Sequence, residues 1–337
     1  MKNLFELATK ELSQDAFLRW LFENYDSDNP HMWEAVYTLL RSFTGLKLPE
    51  GSITELQTYA QIHSIDVIVT FCSDEKRYLV AIEDKVFCGE HDNQLRRYRE
   101  ILLKASAFWG RPYDKAFFVF YKTDIENKDD SKAAKEAGWK TYFIKEIHEL
   151  FSCLPKSTGS EILDQYHAFI ESRYEKMSNI SQKPVKDWDL LDFRTYFLKE
   201  IVPEVEKNIP KVLDEWHWGN WQGQYFSLLL SRKCKIGNGD CCGLGLELLP
   251  RPYFGGYHIL VRAWPEDDKE LSGEAKKTLR TALIKDGSVF RPRNHKWCIA
   301  TASKPLEERL RFDRGTESHT AALKEIVQAF ADFCREH

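Results

Sequence analysis

The chain has 337 residues, of which 43% are hydrophobic, 13% aromatic and 30% charged, enough for one large or two ordinary globular domains. Its formal net charge of −4 excludes a bulk positive field as the means of holding nucleic acid, so such a partner needs a local basic patch. Eight scattered cysteines in a chain of this length do not suggest a disulfide framework, and no apolar stretch resembles a signal peptide or a membrane span. Reduced thiols in a cytoplasm are the expectation.

Taken in chain order, residues Asn3 to Asn24 read as a helix whose apolar positions Leu12, Ala16, Leu18 and Leu21 fall mostly at helical spacing. Met32 to Thr44 reads as a second helix. Ser64 to Phe71, rich in β-branched residues, and Tyr78 to Lys85 read as a hairpin joined by the polar turn Ser73 to Arg77. A helix over Asp92 to Ala107 follows, then a buried strand, Lys115 to Tyr121. A short helix, Ser131 to Ala137, ends at Gly138 as its cap. A strand from Lys140 to Ile144 and a helix from Glu161 to Met177 complete this half. The order α, α, β, β, α, β, α, β, α predicts an α/β fold, a mixed sheet flanked by helices.

The polar stretch Ser178 to Asp187, with Pro184, marks a domain boundary, so the expected domains are 1–178 and 188–337. The second half reads as an α+β domain with an antiparallel sheet. Helical patterns cover Trp188 to Ile201, Glu204 to Glu215, Gly273 to Lys285 and Thr320 to Cys334. Strand-like runs cover Tyr225 to Leu230, Gly243 to Leu249, Tyr257 to Trp264 and Trp297 to Thr301.

The stretch Tyr78 to Val86, YLVAIEDKV, begins as a buried strand and ends in three charges. Buried charges cost free energy unless paired or metal-bound. Side chains alternate across a strand, so Glu83 and Lys85 share a face with Leu79 and Ala81, and Asp84 points away. Asp66 stands alone among Ile65, Val67, Ile68 and Val69, and strand pairing brings it near Glu83. Two adjacent carboxylates repel, and one tends to keep a proton. A divalent cation removes that difficulty, since Mg2+ favours carboxylate oxygens, water and phosphate oxygens. Lys85 is then available to stabilise charge developing on a phosphate.

Asp66, followed after a hairpin by Glu83-Asp84-Lys85, resembles the PD-(D/E)XK nuclease signature. The next helix carries Gln94-Leu95-Arg96-Arg97-Tyr98, similar to the Q-h-x-x-Y motif of the RecB-like branch. The likeness covers Glu11 to Ile144, with Ile65 in place of the signature proline. It implies a restriction-endonuclease-like core in which Asp66, Glu83 and the main-chain carbonyl of Asp84 hold Mg2+ or Mn2+. Lys85 would be the catalytic lysine. Gln94 would orient Lys85 or the phosphate, and Tyr98 would support the helix or touch the DNA backbone. Glu11 stands where many members place an extra acidic ligand, with Asp15 one turn later as the alternative. Arg96, Arg97, Arg99 and Lys104 offer either phosphate contacts that position a duplex without reading it, or a plain solvated helix face balanced by Glu100.

The activity this implies is metal-dependent phosphodiester hydrolysis, in DNA with RNA left open as substrate, serving phage defence or DNA processing. The second domain would select substrate or recruit a protein partner. The alternative is a nuclease fold that has lost catalysis and binds nucleic acid or a protein. Other signals carry less. His63, near Asp66, reads as a loop histidine. Cys234, Cys241, Cys242 and Cys298 lack the paired spacing of a zinc knuckle. Trp216, Trp218 and Trp221 read as core. Arg291 to Trp297 is a compact basic stretch suited to nucleic acid or a plain surface loop. The glycines of GNGDCCGLG do not form a phosphate-cradling loop.

Overall fold

The computed structural model describes residues 3–7, 11–25, 28–86, 93–105, 107–108, 110–126, 128–201, 203, 215–221, 225–236, 240–251, 256–265, 273–284, 289–292, 298–311 and 316–336. They divide into two compact units, Met1–Ser178 and Asn179–His337.

The first unit opens with helices α1 (Leu4–Leu7), α2 (Glu11–Glu23) and α3 (Pro30–Thr44). Strands β1 (Thr54–Ile62), β2 (Ile65–Ser73) and β3 (Lys76–Lys85) form an antiparallel meander. Helix α4 (Gln94–Ala105) and the two-residue strands β4 (Ala107–Phe108) and β5 (Arg111–Pro112) lead to β6 (Lys115–Lys122). Then come α5 (Lys128–Glu136), β7 (Lys140–Tyr142), α6 (Ile144–Phe151) and α7 (Glu161–Ser178). The sheet order is β1-β2-β3-β6-β7, with β6 parallel to β3 and β7 parallel to β6. This is the mixed, helix-flanked sheet expected.

The alternation of β3 decides what each sheet face holds. Leu79 and Ala81 join Ile68, Leu95, Tyr98, Leu102, Phe118 and Phe120 in the core beneath α4. The indole of Trp139 donates to the Leu95 carbonyl at 2.9 Å, tying α4 to the chain after α5. On the other face Phe17 stacks on Tyr166 with ring centroids 3.6 Å apart, and the Tyr121 and Tyr166 hydroxyls lie 3.0 Å apart.

Several elements differ from the sequence reading. Strand β1 escaped it because TELQTYAQI has no apolar run. It is an edge strand, bulged between Thr54 and Gln57, and much of it stays exposed. The strand expected through Ile144 stops at Tyr142. Phe143 then opens α6, whose Glu146 side chain accepts from the Phe143 N–H at 3.1 Å. In the opening segment the described helical residues are Leu4–Leu7 and Glu11–Glu23, and the buried face is not the one expected. Phe17, Leu18, Leu21 and Phe22 point inward together with Gln14 and Asp15, whereas Leu12 is 65% exposed and Ala16 is exposed.

Gly138 follows α5 with φ +76°, and the Trp139 N–H bonds back to the Ala134 carbonyl at 2.8 Å. An added Cβ would lie 3.1 Å from the movable end of Arg99, so the backbone conformation dominates the cost. Gly138→Ala should therefore destabilise the first unit by about 1–2 kcal/mol, read from urea denaturation.

The second unit begins with two 3-10 turns, Ile180–Gln182 and Val185–Asp187, then α8 (Leu190–Tyr196) and a π-helical turn over Phe197–Ile201. Its sheet contains β8 (Glu215–Trp221), β9 (Tyr225–Ile236), β10 (Asp240–Arg251), β11 (Gly256–Pro265), β12 (Phe290–Pro292) and β13 (Cys298–Ala302). The order is β12-β13-β11-β10-β9-β8, antiparallel throughout. Helices α9 (Gly273–Leu283), α10 (Lys304–Arg309) and α11 (Thr316–Glu336) complete it. Trp216, Trp218 and Trp221 lie in β8, which the sequence reading missed. Residues 204–214, expected to be helical, lie outside the described residues, as do most of Arg291 to Trp297 and part of GNGDCCGLG. Among the described residues no helix is long and apolar enough to cross a membrane.

Candidate active site at the end of strand β3

The antiparallel register pairs Val67 with Ile82, so Asp66 and Glu83 follow as the next facing pair. Glu83 and Asp84 are 0% exposed and Lys85 is 6% exposed, so the three charges that end β3 are buried as a group. The Lys85 ammonium is 2.5 Å from Glu83 Oε1 and 3.8 Å from Asp66 Oδ2. The Asp84 N–H donates to Asp66 Oδ2 at 2.9 Å, fixing Asp66 against the end of β3. Asp84 turns its carboxyl to the opposite face, where the Gln14 amide donates to it.

Helix α2 brings in both of its acidic candidates. Glu11 Oε1 accepts from the Val86 N–H at 3.4 Å, and Asp15 is buried within electrostatic range of Asp66, Asp84 and Lys85. Gln94 donates to the Tyr98 hydroxyl at 2.8 Å, one helical turn along α4. That contact is with Tyr98, not with Lys85. Tyr98 is 2% exposed, so its ring anchors α4 in the core and is not free to lie along a DNA backbone. Arg96 and Arg97 are exposed, with the Arg97 guanidinium 5.4 Å from the Tyr98 ring centre. Arg99 turns instead onto Phe118, at 5.6 Å. Lys104 pairs with Glu100 at 3.7 Å on the surface. His63 stays exposed in the β1–β2 turn with φ +54°.

Glu11, Asp15, Asp66 and Asp84 are linked electrostatically around Asp66, Glu83 feels Asp66 on the other side, and Lys85 is the cation among them. Burial, reinforced by Asp66, pushes Glu83 up to about 8. Burial and Asp66 push Asp15 up to about 7, and burial with Asp15 holds Asp84 well above the usual carboxylate range. Burial alone would draw the Lys85 ammonium down, but Glu83 and Asp66 outweigh it and hold it above its ordinary value. Lys122, the parallel partner of Lys85 on β6, is also buried, but its charge is met by Asp130 of α5 at 2.6 Å.

This arrangement is short of positive charge. Glu83 Oε2 is buried without a hydrogen-bond donor from the protein. A divalent cation beside Asp66 and Glu83 would satisfy that oxygen and relieve the repulsion. The donors are all hard oxygens, which suits Mg2+ or Mn2+. Among the described residues no three His, Cys, Asp or Glu side chains are drawn together as an all-protein metal cage. Two carboxylates, a main-chain oxygen and solvent are the usual company of Mg2+, which keeps several waters.

The family model described as PD-(D/E)XK nuclease superfamily matches residues 2–186, more than half of the chain. The chain belongs to the PD-(D/E)XK nuclease superfamily. No curated protein and no solved structure matches it. PD-(D/E)XK nucleases typically use a divalent metal and act on nucleic acid, in keeping with the oxygen-rich end of β3. The matched stretch contains the whole meander, α4 and β6, and thus every residue of the candidate site.

Sequence reasoning missed three polar residues that this site uses. Gln61, on the unrecognised β1, donates to Asp66 Oδ1 at 3.2 Å. Gln14 holds Asp84, and Thr123 donates to Gln14 Oε1 at 2.9 Å. For Gln14 a signal was available: it stands at helical spacing from Leu18 and Leu21, so it shares their buried face.

Proposed function

We propose that the first unit is a Mg2+- or Mn2+-dependent nuclease of the RecB-like branch that hydrolyses phosphodiester bonds in DNA. The observation that carries this reading is the seating of the Lys85 ammonium against both Glu83 and Asp66, at 2.5 and 3.8 Å, on one face of the sheet. Asp66, Glu83 and the Asp84 carbonyl would hold the cation, with Glu11 or Asp15 as the further acidic group. Bound there, the cation supplies a nucleophile near neutral pH and shields the phosphate's charge. Lys85 donates to the phosphate oxygen on which charge develops as the phosphorus–oxygen ester bond breaks. Asp66, gripped by the Asp84 N–H and by Gln61, keeps its place through the reaction.

Arg96 and Arg97 are exposed on α4 and suited to holding the sugar-phosphate backbone without sequence preference. The second unit would select substrate or recruit a partner, in phage defence or DNA processing. The test incubates the full chain with supercoiled, linear and single-stranded DNA, with Mg2+ or Mn2+ and with EDTA. Cleavage should require the metal, and Asp66→Ala should abolish both cleavage and Mn2+ binding in titration calorimetry. DNA binding without metal-dependent cleavage would instead match an inactive nuclease-fold module. Preferential cleavage of RNA would move the substrate class.

A further inference from the structure

Gln14 is 4% exposed, and both ends of its side-chain amide are used. Its nitrogen donates to Asp84 Oδ1, and its oxygen accepts from the Thr123 hydroxyl at 2.9 Å. Around it hydrogen bonds and one ion pair close into a ring. The Asp84 N–H donates to Asp66, the Thr123 N–H donates to the Lys85 carbonyl at 3.1 Å, and the Lys85 ammonium returns to Asp66 at 3.8 Å. The ring runs through α2 and the ends of β2, β3 and β6, and three of the residues proposed for the metal and the phosphate lie on it.

We propose that Gln14, acting through Thr123, is a positioning residue for this centre. It would orient the main chain at Asp84, and with it the Asp84 carbonyl and the Asp66 carboxylate that take the metal. The proposal rests on the metal-dependent nuclease reading and deepens it. The chemistry of the amide supports the role. A buried carboxyl needs a donor, and lysine or arginine in this place would also cancel its charge. A neutral amide fixes the Asp84 carboxyl plane and adds no positive charge to compete with a cation. Thr123 gives the amide its second anchor, its hydroxyl donating to the oxygen that faces away from Asp84. Polar groups that support metal ligands from behind commonly change metal affinity or activity by about 10–100-fold when removed.

The test uses full-length Gln14→Leu, Thr123→Val, the double variant and Thr123→Ser. Mn2+ affinity is measured by titration calorimetry, kcat and KM on DNA with Mg2+, and folding by thermal denaturation. Gln14→Leu and Thr123→Val should each weaken Mn2+ binding and lower kcat by about 10–100-fold with little change in KM. The double variant should be scarcely worse than the weaker single, since both break one ring. Thr123→Ser, which keeps the hydroxyl, should recover most of the loss. Thr123→Val is nearly isosteric, so it carries the test even where Gln14→Leu does not fold. Wild-type Mn2+ affinity and kcat in a folded Thr123→Val variant, or losses that multiply in the double variant, would overturn the role of Gln14 and leave the nuclease reading standing. A wild-type chain that neither binds Mn2+ nor cleaves DNA sinks both.

Discussion

Lys85→Met should lower DNA cleavage by about 10²–10³-fold while leaving Mn2+ affinity unchanged or tighter. The two effects diverge because the ammonium has opposite relations to substrate and metal. Toward the phosphate it is a preorganised donor in a buried site, where such a donor acts more strongly than in water. Toward the cation it is a competitor, since it sits 2.5 Å from one proposed ligand and 3.8 Å from the other. Methionine keeps most of the unbranched stem, one atom shorter, and removes both actions. The Glu83 carboxyl it leaves behind already has a raised pKa and can hold a proton until metal arrives. Single-turnover cleavage with saturating Mg2+, set beside calorimetric titration with Mn2+, separates the two. Cleavage within tenfold of wild type would remove Lys85 from the chemistry.

The second large effect is on stability. Without metal, the chain should lose about 1–2 kcal/mol of stability between pH 6.5 and pH 8, and Mn2+ should restore it. Glu83 goes from an ordinary value of 4.5 up to about 8 in the fold, and Asp15 from 3.8 up to about 7. In this window the folded chain keeps protons that the unfolded chain has released. The slope of stability against pH is therefore negative, until Asp15 and then Glu83 have ionised. The window matters because His319 in the second unit works the other way. Its pKa is pushed down by burial to about 3, so below 6.5 the unfolded chain takes up a proton there and stability rises with pH. Above 6.5 that contribution fades away. A cation bound only by the folded state adds about 2.7 kcal/mol at a hundred times its Kd, and it binds better as its ligands deprotonate. Glu83→Gln should reduce the pH dependence to the part that Asp15 supplies and remove most of the Mn2+ effect. Thermal midpoints at pH 6.5, 7.2 and 8.0, with EDTA and with Mn2+, decide it. Equal midpoints at the three pH values without metal would mean that Glu83 is ionised in the fold throughout.

Much of this architecture was legible before any coordinates. The β-branched run of β2, the apolar start of β3 and the aromatic strand β6 announced themselves by composition, because strands buried on both faces need little else. β1 did not, because an edge strand facing solvent needs no apolar alternation, and its pairing with β2 is a long-range fact. Residues Trp216 to Trp221 failed for a related reason. A cluster of tryptophans and glycine fits a loop, a core or a strand until neighbouring strands pair with it.

The identities of the acidic residues, their alternation on β3 and the spacing of Gln94 and Tyr98 were fixed by covalent order and local periodicity alone. Those quantities are short-range, so a linear string carries them. Which carboxyls meet, which helix face turns inward and what lies behind Asp84 were decided by tertiary structure. Gln14 and Thr123 are 109 positions apart, and Gln61 belongs to a strand with no signature of its own. Their roles arise only when α2, β1 and β6 pack around the end of β3. Burial then turns five carboxyls and one ammonium into a centre short of positive charge, an electrostatic property of packed groups in low dielectric that no single residue possesses.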